Sequence, residues 1–248
     1  MPGWLTARPI AHRGLHDAQT AVFENTASAF TAAVNAGYAL ECDVQISADG
    51  EAMVHHDDVL GRLTDGAGRL EAMTTAELKR VPFHRTADRM LTLGDLCDLV
   101  ADRAAIAIEL KSRFDGDHRL AVRVAKVLEG YAGRAAVMSF DPGPVAALRD
   151  LAPERPRGLV AMQRARDSTP DRHAPSPARF VLQAVAARLN FLAYRVQDLP
   201  SAIPFTARNV LGLPLLTWTV RTAEDRERAA RHADQIIFEG FRPPATSP

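Results

Sequence analysis

Cysteine is nearly missing from this chain of 248 residues. Cys42 and Cys97 stand alone, at no metal or redox spacing, and two cysteines do not make a disulfide framework. Net charge is missing too. Thirty Lys and Arg offset thirty Asp and Glu, and the arginines are spread rather than clustered, so nothing argues for a nucleic-acid partner. No run reaches the ~20 apolar residues that span a bilayer, and no amphipathic helix carries a strongly basic face. Residues 1–8 hold no apolar stretch of signal-peptide length. These absences lead to the expectation of a soluble, cytoplasmic protein without stable membrane insertion, unless a targeting segment precedes this numbering. Oligomeric state is not legible.

What is present suits one large α/β domain. Hydrophobic residues make up 47% of the chain, ample for a core, and the length fits a single eight-stranded barrel over 1–248. Apolar runs read as strands at 9–13, 39–45, 106–111, 136–140, 158–162, 191–196, 215–220 and 235–238. Helical patterns lie between most of them, at 26–36, 93–101, 118–130, 143–151, 178–188 and 222–232. Strand–helix alternation argues a parallel sheet, and eight repeats argue closure into a (β/α)8 TIM-type barrel. The run 52–56 breaks the rhythm. It follows the second strand too closely for a parallel crossover, and Asp49-Gly50 is a turn dipeptide, so an antiparallel hairpin is expected. Residues 58–90, with a short helix near 74–80, form an insertion placed to act as a lid or substrate wall. The proline-containing basic stretch 163–178 reads as a mobile surface loop, and the tail from Arg242 as disordered or loosely draped.

The chemistry sits at strand ends. In Tyr38–Gln45, side chains alternate, so Leu40, Cys42 and Val44 share one face and Glu41 and Asp43 the other. Two buried, unpaired carboxylates cost several kcal/mol each, roughly, and call for a counter-charge such as a divalent cation; exposure on an edge strand is the alternative. Residues 105–111 repeat the pattern, with Glu109 and Lys111 on one face. Two further apolar runs end in His12-Arg13-Gly14 and in His55-His56-Asp57. In parallel barrels, catalytic groups cluster at such carboxyl ends.

At these residues the chain resembles the glycerophosphodiester phosphodiesterases, barrel enzymes of the phospholipase C-like type. The ordered matches are Ile10–Gly14, Glu24-Asn25-Thr26, Ala29-Phe30 with Ala33, Gly37, Glu41–Val44 and Asp49-Gly50. They continue with His56-Asp57, Leu60, Arg62, Thr64, Gly66, Glu109-Leu110-Lys111, Ser139-Phe140-Asp141 and Trp218-Thr219-Val220. The dense part covers 9–111. The resemblance implies hydrolysis of a small-molecule glycerophosphodiester to glycerol 3-phosphate and an alcohol. It implies His12 and His56 as the general acid/base pair and Glu41, Asp43 and Glu109 as ligands of one divalent cation, Mg2+ or Ca2+. It places Arg13 and Lys111 near the substrate phosphate. All-carboxylate ligation suits either hard cation.

The chemistry is coherent without the family name. A phosphodiester anion repels nucleophiles; a divalent cation with Arg13 and Lys111 would neutralise it. Two histidines can divide the proton transfers near neutral pH. Direct water attack and a cyclic phosphate intermediate both stay open. Phe23, Arg221 and Phe238-Glu239 depart from the family pattern, and Arg221 and Glu239 are placed to alter the alcohol pocket. Rival readings are a lysophospholipase D or sphingomyelinase D-like enzyme, and a catalytically silent phosphodiester binder. Other histidines draw structural readings: His55 faces away from His56, His16 is a solvated loop residue, and His84, His118, His173 and His232 lie at the surface. Glu24 and Asn25 precede a helix that Asn25 or Thr26 would cap; a contact to the site is as good a reading, and both can hold.

Overall fold

The computed structural model describes residues 3–163 and 176–245. Eight short strands pair in parallel and close on themselves. They are Ile10–Ala11 (β1), Ala39–Ile46 (β2), Ile106–Leu110 (β4), Ala135–Ser139 (β5), Arg157–Ala161 (β6), Phe191–Arg195 (β7), Leu215–Val220 (β8) and Gln235–Phe238 (β9). The first strand bonds both β9, through Ile10 opposite Ile237, and β2, through Ile10 opposite Ala39, which completes the ring. Ala52–Val54 (β3) lies outside it, antiparallel to β2, with Val44 opposite Val54. The connecting turn is five residues long, Ser47 N–H donates to Glu51 C=O, and Gly50 takes φ +84°, a conformation that glycine adopts without a Cβ penalty.

Alternation along the strands separates two layers of core. Leu40, Cys42, Val44, Ile106, Ile108 and Val137 face outward onto the helices Ala27–Asn35 (α1), Leu93–Val100 (α3) and Arg119–Glu129 (α4). Ile10, Ala39, Ala107, Met138, Val160, Phe191, Leu216 and Ile237 fill the barrel. Small residues offset large ones there: a Cβ on Gly158 would sit 2.3 Å from the Phe191 ring. Each large apolar side chain buried in these layers contributes about 1.5–3 kcal/mol. The helices begin where short polar side chains satisfy free N–H groups. Thr26 caps α1, and Thr92–Asp95 and Thr222–Asp225 form capping boxes on α3 and on Ala223–His232 (α8).

Two expectations need correction. A helix at Ala202–Asn209 (α7) lies between β7 and β8, where no periodic pattern was apparent. Pro204 falls in its first turn, where an N–H has no helical partner anyway. The tail is anchored through the end of its described part: Tyr38 Oη donates to Pro243 C=O at 2.6 Å, and Ala245 packs on the outer core. Most of the stretch 163–178, including His173, lies outside the described residues. The insertion 58–90 has its own packing. Leu60, Leu70, Leu78, Val81, Phe83 and Met90 bury against Phe23 and Met53, around the helix Thr75–Arg80 (α2). Among the described residues, no helix is long and apolar enough to cross a membrane.

Candidate active site

Strand register brings the acids together at the carboxyl end of the ring. Glu41 and Asp43 continue the inward face of β2 beyond Ala39, and Asp43 stands opposite Glu109 of β4. The three are buried, and one oxygen from each lies within 4.8 Å of the others. Lys111, one inward step beyond Glu109, donates from Nζ to Asp43 Oδ1 at 2.7 Å and to Glu109. Arg13, in the turn after β1, donates its backbone N–H to Glu41 Oε2 at 2.8 Å, and its Nε pairs with Asp43 Oδ2 at 3.1 Å. Three carboxylates against two cations leave one negative charge.

Burial and that imbalance together govern the protonation. Burial pushes the Glu41 carboxyl well above the usual range, and Asp43 and Glu109 add to the effect. Burial opposes ionisation of Asp43 as well, but Lys111 and Arg13 overcome it and hold its carboxyl well below the ordinary value. Burial works against a charged Lys111, yet Asp43 and Glu109 raise its pKa above the normal lysine value. Converging hard oxygen donors with a surplus negative charge fit a divalent cation.

Both histidines reach this rim, and each rests on a carboxylate. His12 Nδ1 lies 2.8 Å from Glu239 Oε2 at the end of β9, and Arg221 Nη2 donates to the same oxygen at 2.8 Å. His56 Nδ1 lies 2.8 Å from Asp57 Oδ1, and Arg62 Nε donates to Asp57 Oδ2 at 2.6 Å. Each ring therefore has Nδ1 engaged by a carboxylate that an arginine holds. Although burial opposes it, His12 and Arg221 draw the Glu239 carboxyl down to about 2. Gln45 Nε2 spans the carbonyls of His55, His56 and Asp57 at 2.7–3.1 Å, which fixes the end of the hairpin to β2. His55 points elsewhere: it is 2% exposed and meets Phe83 edge-on.

Glu24 and Asn25, before α1, join the site. Glu24 Oε1 accepts from Arg13 at 2.7 Å and from Arg62 at 2.6 Å, so it ties the turn after β1 to the insertion. Thr26 is the cap, which leaves Asn25 free for another task. Its Nδ2 donates to Asp43 Oδ2 at 2.9 Å and its Oδ1 accepts from Asp43 N–H at 3.2 Å. Arg13 and Asn25 hold φ of +56° and +57°, a strained conformation that tends to persist at functional sites. Gly14 follows at φ +82°, where a Cβ would lie 2.8 Å from Ala29. His16 is half-buried rather than solvated, because Leu15 N–H bonds to Ala29 C=O and draws the loop onto α1.

Sequence reasoning missed the partnership of Glu239 with His12. The two are 227 residues apart, and ring closure is what makes β9 the neighbour of β1. An acid at the end of the last strand was the available signal. The motif Ser139-Phe140-Asp141 is structural here. Ser139 Oγ donates to Leu110 C=O at 2.7 Å, and Asp141 caps Pro142–Leu151 (α5).

A model of the glycerophosphoryl diester phosphodiesterase family matches residues 12–238. The chain belongs to that family, and so to the phosphoric diester hydrolases. It is 28% identical over 241 residues to a glycerophosphodiester phosphodiesterase of Caldanaerobacter subterraneus, covering 93% of each chain. A probable glycerophosphodiester phosphodiesterase 1 of Mycobacterium tuberculosis is 28% identical over 87% of this chain and 82% of its own. Among solved structures, a putative glycerophosphoryl diester phosphodiesterase from Silicibacter pomeroyi superposes with a TM-score of 0.76 at 27% identity, covering 94% of this chain and 89% of that one. A phosphodiesterase of Oleispira antarctica, solved with its product sn-glycerol-3-phosphate, has a TM-score of 0.77 at 20% identity, covering 93% and 91%; that likeness concerns the fold.

Proposed function

We propose that this family member hydrolyses small glycerophosphodiesters to glycerol 3-phosphate and an alcohol, with one divalent cation on Glu41, Asp43 and Glu109. The observation that carries this reading is the buried carboxylate trio flanked by two histidines, each seated by Nδ1 on a carboxylate. When bound, the cation supplies charge neutralisation for the phosphoryl oxygens. Arg13 and Lys111 add fixed positive charge beside it, and Asn25 holds Asp43 in place. With the cation bound and Glu41 ionised, the three carboxylates, Arg13, Lys111 and the metal sum to one positive charge, which a phosphodiester monoanion balances.

Glu239 and Asp57 hold their histidines in one orientation and leave Nε2 for proton transfer. One histidine accepts the proton of the attacking oxygen as the new P–O bond forms. The other donates a proton to the leaving alkoxide as its P–O bond breaks. The insertion 58–90 acts as a wall of the site, because Arg62 binds both Glu24 and Asp57.

A cavity of about 410 Å³ opens beside His56 and Lys111, lined by Asp57, Asp58, Glu71 and Asp115 among others. Its charged lining favours small polar groups over an acyl chain on the side of the phosphate it adjoins, which supports a water-soluble diester over the lysophospholipid and sphingomyelin readings. Retention of both histidines and all three acids argues against the silent binder. His12→Ala and His56→Ala should each reduce turnover by about 10²–10⁴-fold with unchanged circular dichroism; wild-type turnover in either would remove the acid/base assignment.

A further inference from the structure

Beside the carboxylate trio lies a second cluster of donors with different chemistry. His12 and His16 come from the loop after β1 and Glu239 from the end of β9, and one donor atom from each lies within 4.8 Å of the other two. His12 Nδ1 and Glu239 Oε2 are 2.8 Å apart. Adjacent donors around a tetrahedral metal with bonds of 2.0–2.1 Å stand about 3.3 Å apart, so this pair opens by about half an ångström to share one. His16 Nε2 is shielded from solvent and has no hydrogen-bond partner. A buried polar nitrogen without a partner calls for an explanation, and a cation shared with its two neighbours provides one. Arg221 donates to the same Glu239 oxygen, so a metal takes the place of that contact as well as of the His12 hydrogen bond.

The donor types set the selectivity. Glu41, Asp43 and Glu109 offer oxygen alone, which suits hard cations. Two imidazoles and one carboxylate form a borderline set that suits Zn2+ and neighbouring transition metals far better than Mg2+ or Ca2+. We propose that His12, His16 and Glu239 form a second cation site, selective for zinc-like metals, in which the metal replaces the proton shared between His12 and Glu239. A metal there withdraws His12 from proton transfer, so Zn2+ inhibits turnover while the hard cation stays on the carboxylate trio. The inhibition rests on the hydrolase reading; the binding does not.

The test holds the protein in excess Mg2+ and titrates it with Zn2+. Long-range ¹⁵N imidazole spectra and turnover are followed together. One equivalent of Zn2+ should shift the side-chain nitrogens of His12 and His16 together and abolish most of the turnover. His16→Asn and His16→Gln should keep turnover in zinc-free buffer but need roughly tenfold more Zn2+, or still more, for inhibition. An unshifted His16 resonance in the wild-type protein would overturn the proposal, as would unchanged Zn2+ sensitivity in a folded His16 variant. If the protein turned over no phosphodiester, the function would fail while the spectra still decided the site.

Discussion

Replacing Glu41 by Gln should stabilise the protein in chelator and destabilise it, relative to wild type, in Mg2+ or Ca2+. Glu41 accepts the Arg13 backbone N–H at 2.8 Å, and a Gln side-chain oxygen can accept it equally, so the substitution removes charge without opening a hole. Burial and the neighbours Asp43 and Glu109 raise the Glu41 carboxyl well above its ordinary value of 4.5. The folded chain therefore keeps a proton that the unfolded chain releases above pH ~4.5. The stability tied to that proton is complete below pH ~4.5 and is lost as pH rises toward the folded value. Replacing a whole buried ion pair by well-packed apolar residues stabilises by about 1–4 kcal/mol at most, which sets an upper bound for removing this one surplus charge. At about 2–4 °C per kcal/mol for a chain of this size, the chelated variant should melt several degrees above chelated wild type at pH 8, with a smaller gap near pH 5. A cation at a hundred times its Kd would add about 2.7 kcal/mol to wild type and little to the variant, so the order of melting temperatures should reverse. Thermal melts of both proteins at pH 5 and 8, with chelator and with Mg2+ or Ca2+, read this directly. A variant less stable than wild type in chelator at pH 8 would refute the charge-imbalance argument. A variant that gained as much as wild type from the metal would refute Glu41 as a ligand.

Other consequences follow from the same geometry. Asn25→Ala leaves the buried Asp43 without two of its hydrogen bonds and should cost about 1–3 kcal/mol in denaturant unfolding, together with weaker metal binding. Glu239→Gln and Asp57→Asn should each lower kcat by roughly 10–100-fold, as loss of an orienting partner typically does, with KM nearly unchanged; a pure KM effect would place these residues on the substrate instead. Because the Glu239 carboxyl is held down to about 2, its contribution to stability is present above the unfolded value of about 4.5 and is lost as pH falls toward 2. The stability gap between wild type and Glu239→Gln should therefore close in acid, and a gap constant from pH 7 to 2.5 would contradict the pairing. Glu109→Gln should abolish saturable Mg2+ or Ca2+ binding in calorimetry; an unchanged isotherm would remove Glu109 from the ligand set.

Much of the fold could be read from alternation. Leu40, Cys42 and Val44 against Glu41 and Asp43 announce both the outward core and the inward acids, because a strand has two faces and no others. The hairpin was legible from the shortness of the link at Asp49-Gly50. Helix α7 was not, since Pro204 and a polar end hide its period. The acids of the site were readable because β2 and β4 each carry their own pattern. What escaped depends on contacts that no local pattern encodes. Glu239 reaches His12 through ring closure, Glu24 joins Arg13 to Arg62 across the insertion, and His16 is drawn from solvent by the packing of its loop on α1. Arg221 and Glu239 depart from the family pattern in sequence, but their pairing with each other and with His12 is a property of the folded ring.

The central claim is tested most directly by release of glycerol 3-phosphate from glycerophosphocholine, measured in chelator and after adding back Mg2+ or Ca2+. The account predicts release that stops in chelator and returns with one of these cations, in wild type but not in Glu109→Gln. Release that persists undiminished in chelator, or none with either cation for any glycerophosphodiester offered, would contradict it.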